Sequence, residues 1–404
     1  MNEDTYFDQE HPEPETPATQ AGLATATQTA ASETQQSEPP QQSAASRAAA
    51  GVRQQLQETR QHANEFFMRI FNSRKCPFCM ATVIDNNRRL THNQTLSFCS
   101  NPLCGHELPA GFFKNKSSLV TLVGGSDTGK THFITVLTYQ LQESTSMLNM
   151  INLDGGIITG KKLFDRNSEL LFAKHQRLTT THQKDKVEKD PIVLRLNRHR
   201  GNQTSNTYIS LFDTPGEVFM DLTELTNKYP HIGNSDAIIY LIDPLNIKKL
   251  HPEIEEEQPG FFEFLNTKSG EDYDIINNLH DIFDRAGRVR GGKITVPIAF
   301  CLSKADLLQA KGTFYFPEEI DNDFLTLKDI LKDIEYASQE MIEYLQDFDR
   351  RLMNQIRGKF QQYAFFPMAA LGKNPSGDLI DGGPQPRGVL HPLVWLLNQI
   401  KFIG

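Results

Sequence analysis

The sequence is poor in cysteine, with five in 404 residues. So few cysteines exclude a secreted disulfide scaffold, in which many cysteines crowd a short chain. A long hydrophobic run is missing as well, since no apolar stretch approaches the roughly 18 residues that span a bilayer. The first residues also lack the basic-then-apolar order of a signal peptide. Together these absences predict a cytoplasmic protein without a membrane span.

A strong charge of one sign is missing from most of the chain. The net charge is −9, and residues 1–50 alone hold eight acidic side chains against one arginine. This first segment consists mainly of Gln, Ala, Ser, Thr, Glu and Pro and has almost no large apolar groups. Such a composition cannot bury enough surface to offset chain entropy, which predicts a disordered acidic tail.

Residues 51–73 show a helical spacing of apolar or small side chains. The positions that share this spacing are Val52, Leu56, Thr59, Ala63, Phe66 and Ile70. The pattern predicts an amphipathic helix with one apolar face. That face either packs against the next domain, which we favour, or pairs with a second chain as a short coiled coil.

Two close pairs of cysteines follow within residues 74–112. The first pair is Cys76 and Cys79, and the second is Cys99 and Cys104. Two such pairs can present four thiolates as a tetrahedron, the arrangement that Zn²⁺ prefers, and the segment resembles zinc ribbons and rubredoxin-like knuckles. Four sulfur ligands leave no open position, so the predicted zinc is structural. The alternative is a set of ordinary buried cysteines.

His106 is an alternative zinc ligand, because four residues rather than two separate the cysteines of the second pair. Residues 53–116 also hold nine Arg or Lys against four Asp or Glu. A basic ribbon can contact nucleic acid, but these charges are scattered and few aromatics lie between them. We therefore favour a protein contact, or simple solvation, over nucleic-acid binding.

The most specific pattern is a buried strand at 118–123, a glycine-rich loop and a helix at 133–141. The loop matches G-x-x-x-x-G-K-[ST] through Gly124, Gly125, Ser126, Asp127, Thr128, Gly129, Lys130 and Thr131. Such a loop lets backbone N–H groups at a helix N-terminus converge on phosphate oxygens. It predicts that Lys130 reaches the β- and γ-phosphates and that Thr131 supplies a hydroxyl to Mg²⁺. His132 is either part of this binding segment or an ordinary helix residue.

Residues 117–404 predict an α/β fold, a P-loop NTPase three-layer sandwich with a mostly parallel sheet and one antiparallel hairpin. The hairpin is predicted from 191–197 and 207–213, joined through a polar turn at Gly201-Asn202. Further apolar strands are predicted at 237–243 and 297–302. The acidic run that ends at Glu257 is expected to be a solvated loop.

Three later segments carry a resemblance to GTPases. Asp213-Thr214-Pro215-Gly216 resembles the D-x-x-G element, Ser303-Lys304-Ala305-Asp306 resembles the guanine-recognition motif N/T-K-x-D, and 363–371 resembles a last strand with its closing loop. With a closing helix at 389–399, the region resembles TRAFAC-class GTPases and, more narrowly, bacterial double-GTPase-type domains of conflict or signalling systems.

This resemblance implies a role for each matching residue. Asp213 would hold Mg²⁺, and the Gly216 amide would sense the γ-phosphate. Asp306 would select guanine by accepting its ring N–H and exocyclic amine, while Lys304 would lie along the base plane. Ser303 departs from the usual Asn or Thr. The partner implied beyond the guanine nucleotide is another protein or a second GTPase.

Hydrolysis needs a positioned water and compensation of charge around the γ-phosphate. Glu217 is either the residue that orients this water or the partner of a cation on the following helix. Thr181 is the nearest candidate for the threonine of the first switch segment. Two functions follow: a slowly hydrolysing GTP switch whose ribbon docks a partner, or a nucleotide-gated adaptor with little turnover. An ATPase of the same fold is the third alternative.

Overall fold

The computed structural model describes residues 74–84, 88–91, 94–143, 151–152, 156–178, 191–200, 203–229, 231–259, 261–262, 271–311, 314–320 and 325–403. All of them belong to one unit, Asn64–Gly404. The predicted tail of residues 1–50, the predicted helix of residues 51–73, the Gly201-Asn202 turn and Thr181 lie outside the described residues.

The described residues form short strands in the cysteine region and longer strands and helices after it. The strands are β1 (Arg74–Lys75), β2 (Thr82–Val83), β3 (Arg88–Thr91), β4 (Gln94–Ser97), β5 (Lys116–Val123), β6 (Ile151–Asn152), β7 (Ile157–Thr159), β8 (Ile192–Arg200), β9 (Gln203–Phe212), β10 (Ala237–Ile242), β11 (Val289–Arg290), β12 (Lys293–Ile294), β13 (Ile298–Leu302) and β14 (Tyr363–Pro367). The α-helices are α1 (Lys130–Glu143), α2 (Lys161–Ser168), α3 (Leu222–Lys228), α4 (His251–Glu257), α5 (Glu271–Arg285), α6 (Leu327–Phe348), α7 (Arg350–Lys359) and α8 (His391–Gln399).

The main sheet has eight strands in the order β14-β13-β10-β5-β9-β8-β6, with β7 also paired to β8. Strands β14, β13, β10, β5 and β9 run parallel to one another. Strand β8 pairs antiparallel with β9, β6 and β7. The predicted mostly parallel sheet with one antiparallel hairpin is therefore confirmed, and the predicted last strand appears as β14.

Helices cover both faces of the sheet, which gives the three predicted layers. Strand β10 shows why its sequence is apolar throughout: Ile239 packs into the core under α1 and α8, and Ile238 packs into the core under α5 and α7. A parallel strand that is buried on both faces needs apolar side chains at consecutive positions, not at alternating ones. The carboxyl ends of β5, β9, β10 and β13 consequently meet at one edge, where a ligand crevice is expected in such sheets.

The acidic run is a helix, and the loop expected there is wrong. Helix α4 carries proline in its first turn, where the missing N–H costs no hydrogen bond. Ile254 points into the core, and the Tyr344 hydroxyl donates to Glu253 at 2.8 Å. The helix has four glutamates and only one buried apolar residue, Ile254. Its sequence therefore shows little helical periodicity.

The cysteine region forms two small hairpins, β1–β2 and β3–β4. Cys76, Phe78 and Phe112 share a buried cluster with Val193 of β8 and Tyr208 of β9. The Tyr208 hydroxyl donates to the Ala110 carbonyl at 2.9 Å. The region therefore covers the part of the sheet face that α5 and α7 leave open.

No helix among the described residues is both long enough and apolar enough to cross a membrane.

Candidate nucleotide and metal sites

The predicted phosphate loop joins the end of β5 to the start of α1. Gly124 has a positive φ of 151°, and a Cβ built there would lie 2.8 Å from the Leu241 carbonyl oxygen of β10. The neighbouring strand therefore requires glycine at this position. Asp127 also takes a left-handed conformation, with φ of 61°. The strand, loop and helix thus occur in the order that the motif requires.

The side chain of Lys130 folds back over this loop and is buried. Its Nζ donates to the Gly124 carbonyl at 2.9 Å and to the Gly125 carbonyl at 2.6 Å. Burial lowers the pKa of Lys130. The carboxylates that oppose this shift are those of Asp213, Glu217, Asp127 and Glu271.

Thr131 and Asp213 come together at the same place. The Thr131 hydroxyl donates to Asp213 Oδ2 at 2.7 Å, across 82 residues of sequence. Thr131 lies in the first turn of α1, and Asp213 directly follows β9, which is hydrogen-bonded to β5. Hydroxyl and carboxylate oxygens are the ligands that Mg²⁺ prefers, and the two side chains could share one ion.

Gly216 packs directly on the phosphate loop. A Cβ built on Gly216 would lie 2.3 Å from Ser126 N and 2.3 Å from the carbonyl carbon of Gly125, so only glycine fits. Glu217 follows in a short 3-10 helix and is exposed. The cation on the following helix, Lys228, pairs with Glu224 at 3.0 Å and not with Glu217.

The segment resembling the guanine motif follows β13. Ser303 Oγ donates to the Ile242 carbonyl of β10 at 3.0 Å, which braces the loop against the neighbouring strand. Lys304 has a left-handed φ of 51°, and its Nζ lies 2.5 Å from Asp243 Oδ2. Asp243 is buried and directly follows β10. The predicted base-stacking lysine is therefore held by an ion pair that no sequence motif indicates.

Asp306 lies in the same loop. Burial raises the pKa of its carboxyl group, while its own backbone N–H and Lys304 act to lower it. The loop also meets the segment after β14, since Ala305 N donates to the Met368 carbonyl at 3.1 Å. The predicted closing loop at 363–371 thus lies beside the predicted base-selecting residue.

His132 contacts the segment that leads to the predicted first switch. Its Nε2 accepts the Leu178 backbone N–H at 3.0 Å. Burial, together with the charges of Lys304 and Arg177, lowers the pKa of His132 to about 4. The ring is therefore neutral at pH 7 and acts as an acceptor that ties Leu178 to α1.

Sequence reasoning missed two carboxylates at the site. Asp243 could have been found, because it ends a strand that lies between β5 and β13. Glu271 gave no signal, since it begins α5 far from any motif. The structure places its Oε2 2.8 Å from the point where a Cβ on Gly125 would stand.

The four predicted zinc ligands are brought together. The sulfurs of Cys76, Cys79, Cys99 and Cys104 all lie within 4.8 Å of one another. The Cys76–Cys104 sulfur distance is 3.9 Å, and the Cys79–Cys99 distance is 3.6 Å. Zinc–sulfur bonds of about 2.3 Å in a tetrahedron place sulfurs about 3.8 Å apart, so the site fits Zn²⁺.

The surroundings of the cluster donate to its sulfurs. Asn101 directs its backbone N–H at Cys99 Sγ, at 3.4 Å, and its side-chain amide at Cys79 Sγ, at 3.6 Å. Hydrogen bonding from Cys76 lowers the pKa of Cys79. His106 Nδ1 lies 3.3 Å from Cys104 Sγ, and its ring stacks on Phe78. This arrangement supports His106 as a hydrogen-bond partner of a ligand, with the four sulfurs as the donor set.

Two solved structures resemble the chain: the Arl6 BBS3 small GTPase from Trypanosoma brucei with bound nucleotide analogue GppNp, and the S. cerevisiae Ski7 GTPase-like domain bound to GTP. The first has 14% identity and a TM-score of 0.30, and the match covers 72% of this chain and 100% of that chain. The second has 12% identity and a TM-score of 0.33, and the match covers 72% of this chain and 51% of that chain. At these TM-scores neither likeness decides the fold.

No curated protein sequence matches the chain. The family model described as Double-GTPase 2 matches residues 118–350, which is more than half of the 404 residues. The matched region contains the phosphate loop, the D-x-x-G element and the guanine motif. The chain therefore belongs to the Double-GTPase 2 family, and this region is a GTP-binding, GTPase-like domain.

Proposed function

We propose that the protein is a magnesium-dependent, slowly hydrolysing GTP switch. The observation that carries this proposal is the 2.7 Å contact between the Thr131 hydroxyl and Asp213, which are the two predicted magnesium residues. Thr131 and Asp213 would hold a magnesium ion there, and that ion would supply positive charge to neutralise and orient the phosphates. Thr131 would bind this ion directly and Asp213 would hold it through water.

The other residues supply the phosphate contacts. Lys130 already lies in the loop, and its Nζ would exchange the Gly124 and Gly125 carbonyls for phosphate oxygens when a nucleotide binds. The backbone N–H groups of residues 124–131 would surround the phosphates, and the amide of Gly216 would face the γ-phosphate. Gly216 packs against Gly125 and Ser126, so entry of a γ-phosphate would displace the segment that carries Glu217. Such a displacement is what a nucleotide-dependent switch requires.

Guanine selection would come from Asp306, supported by its neighbours. A half-buried carboxylate gains from donors that replace lost water, and guanine offers two adjacent N–H donors. Ser303 braces the loop through the Ile242 carbonyl, which compensates for the usual Asn or Thr. An ATPase would need another selector, and the placement of Asp306 supports the GTP alternative.

Slow turnover is supported by the residue that follows Gly216. Glu217 can orient a water molecule, but its negative charge repels the γ-phosphate, whereas a neutral glutamine would not. A partner protein or a second GTPase would then complete the site by adding positive charge in trans. If no partner does so, the protein is a nucleotide-gated adaptor with little hydrolysis.

The cysteine ribbon, proposed as residues 74–112, would provide a docking surface in a bacterial signalling or defence-type system. Its exposed side carries Leu103, which is 97% exposed at the tip of the second cysteine pair. An exposed apolar side chain, on a segment whose basic side chains are scattered and not clustered, suits contact with a protein better than contact with nucleic acid.

The test is nucleotide binding and turnover on the purified full chain, with GTP or ATP and with magnesium or EDTA. Selective, magnesium-dependent GTP binding with slow hydrolysis supports the switch, and binding without hydrolysis supports the adaptor. ATP binding as tight as GTP binding contradicts the guanine assignment. Lys130→Ala serves as the control, because it removes the charge that faces the phosphates and should abolish tight binding.

A further inference from the structure

The two residues on either side of Asp213 are both held by His231. The ring of Phe212 stacks on the His231 ring, with centroids 4.1 Å apart and planes 17° from parallel. The Thr214 hydroxyl lies 3.3 Å from His231 Nε2. Thr214 and His231 are both buried. One imidazole therefore holds the backbone on both sides of the proposed magnesium carboxylate.

His231 is itself anchored to the strand that leads into the phosphate loop. Its carbonyl accepts the Ser235 hydroxyl at 3.3 Å, and Ser235 Oγ lies 2.7 Å from Thr121 Oγ1 of β5. The adjacent Asp236 accepts the Leu119 backbone N–H at 3.0 Å. Because β5 carries the phosphate loop, His231 links the Asp213 segment to the element that positions Thr131.

The cysteine ribbon reaches the same segment through Met80, the residue directly after the ligand Cys79. Met80 is buried in a small cluster with Leu119 and Phe212, so its side chain supports Phe212 at the end of β9. Its φ is 61°, a left-handed conformation that costs energy in a residue other than glycine. The turn that follows Cys79 thus determines where this side chain lies.

A second contact joins the ribbon to the loop that follows His231. Lys75 of β1 donates to the Asn234 carbonyl at 2.8 Å and forms an ion pair with Asp236 at 3.9 Å. The ribbon therefore contacts Phe212, which precedes Asp213 in the sequence. It also contacts the loop that follows His231, the residue that lies against Thr214.

We infer that the ribbon is a structural part of the magnesium site, in which Met80 and His231 are positioning residues for Asp213. This inference rests on the proposed function. Side chains that orient metal ligands from outside the coordination sphere typically contribute about 10- to 100-fold to metal affinity or activity. A folded, metal-filled ribbon is then required for magnesium-dependent GTP hydrolysis as well as for any docking role.

The experiment measures turnover, and the binding of a fluorescent GTP analogue, as functions of magnesium concentration in the full chain. Met80→Ala opens a space behind Phe212, and we expect the apparent magnesium affinity and kcat to fall about 10-fold. The KM for GTP at saturating magnesium should change less, because the base and phosphate contacts remain. Met80→Leu should restore both values, since it refills the space.

Leu379→Ala is the control, since it also truncates an apolar side chain, at a site that is 57% exposed and lies outside the ribbon. It should leave magnesium dependence unchanged. Zinc content is measured for each variant, so that metal loss from the ribbon is separated from a shift of Phe212. If Met80→Ala fails to fold, the His231 variants decide the question.

His231→Phe keeps a stacked ring and removes the bond to Thr214, and Thr214→Val removes the same bond from the other side. Each should lower the apparent magnesium affinity. The double variant should lower it no further than the more affected single variant does. The inference is overturned if the wild type is active and both Met80→Ala and His231→Phe show the same magnesium dependence as the wild type. A wild type without magnesium-dependent GTP binding contradicts the proposed function instead.

Discussion

Lys304 and Asp243 lie at the carboxyl ends of adjacent parallel strands, and their charged atoms are 2.5 Å apart. Asp243 also accepts the Leu245 backbone N–H at 3.0 Å. The same buried carboxylate therefore caps the turn that follows β10 and forms an ion pair with the lysine in the loop that follows β13. The position of Lys304 beside the proposed base site is therefore set by a residue outside the guanine motif.

Asp243→Asn should weaken guanine-nucleotide binding by about 10-fold, the loss expected when a hydrogen bond to a charged group is replaced by a neutral one. The amide oxygen still caps Leu245, so the turn should persist while Lys304 loses its fixed position. Titration with a fluorescent GDP analogue measures this effect. Asp329→Asn, the same change at the exposed start of α6, is the control. Unchanged affinity in Asp243→Asn would show that the ion pair does not position Lys304.

Asp306→Asn should lower the preference for GTP over ATP. An amide can accept one guanine N–H through its oxygen, but its NH₂ group opposes the second donor, so about 10- to 100-fold of GTP affinity should be lost. Competition of GTP and ATP against the same fluorescent nucleotide gives the ratio. An unaltered ratio would remove Asp306 as the base selector, whatever the absolute affinities are.

A Cys76→Ser, Cys99→Ser double variant should lose about one equivalent of zinc, because one thiolate is removed from each close sulfur pair. Metal analysis of the purified protein measures this loss. Cys301→Ser is the control: Cys301 is buried in β13, outside the sulfur cluster. Equal zinc in wild type and double variant would exclude the four-sulfur site.

Asp272 should make the stability of the fold depend on pH. Burial, the largest cause, raises the pKa of Asp272 from 3.8 to about 7, although the Tyr240 hydroxyl donates to it at 2.7 Å and acts to lower the pKa. Between about pH 4 and pH 7 the folded chain therefore holds a proton that the unfolded chain has lost. Asp272 therefore contributes a fall in the free energy of unfolding as pH rises through this window, of at most about 1.4 kcal/mol per pH unit, which is measured as the difference between the wild-type and Asp272→Asn profiles.

Asp272→Asn should remove this dependence and raise the free energy of unfolding at pH 8 by about 2 kcal/mol, since no charge then needs to be buried. Urea denaturation at several pH values between 4 and 8 measures both effects. Asp274→Asn, two residues along the same helix and exposed, should leave the pH profile unchanged. If the free energy of unfolding of Asp272→Asn depends on pH as it does in the wild type, a group other than Asp272 causes the dependence.

The strand, loop and helix around Lys130 were predictable because a few contiguous residues encode them. The same holds for the four cysteines, whose short spacing within each pair brings two sulfurs to one side. The acidic helix α4 was missed because its charged side chains conceal the single apolar position that it buries. Glu271 was missed because it belongs to no motif and approaches Gly125 only in the folded chain.

The sequence alone therefore determined the class of fold, the phosphate loop, the metal-binding residue types and the family resemblance, since all of these lie in local patterns. Tertiary structure alone decided which distant groups meet: Thr131 with Asp213, Lys304 with Asp243, and Met80 with Phe212. Such meetings depend on strand order and register, and these are set by how the whole core packs. No short segment carries that information, because shifting one strand by a single residue would turn its side chains to the opposite face.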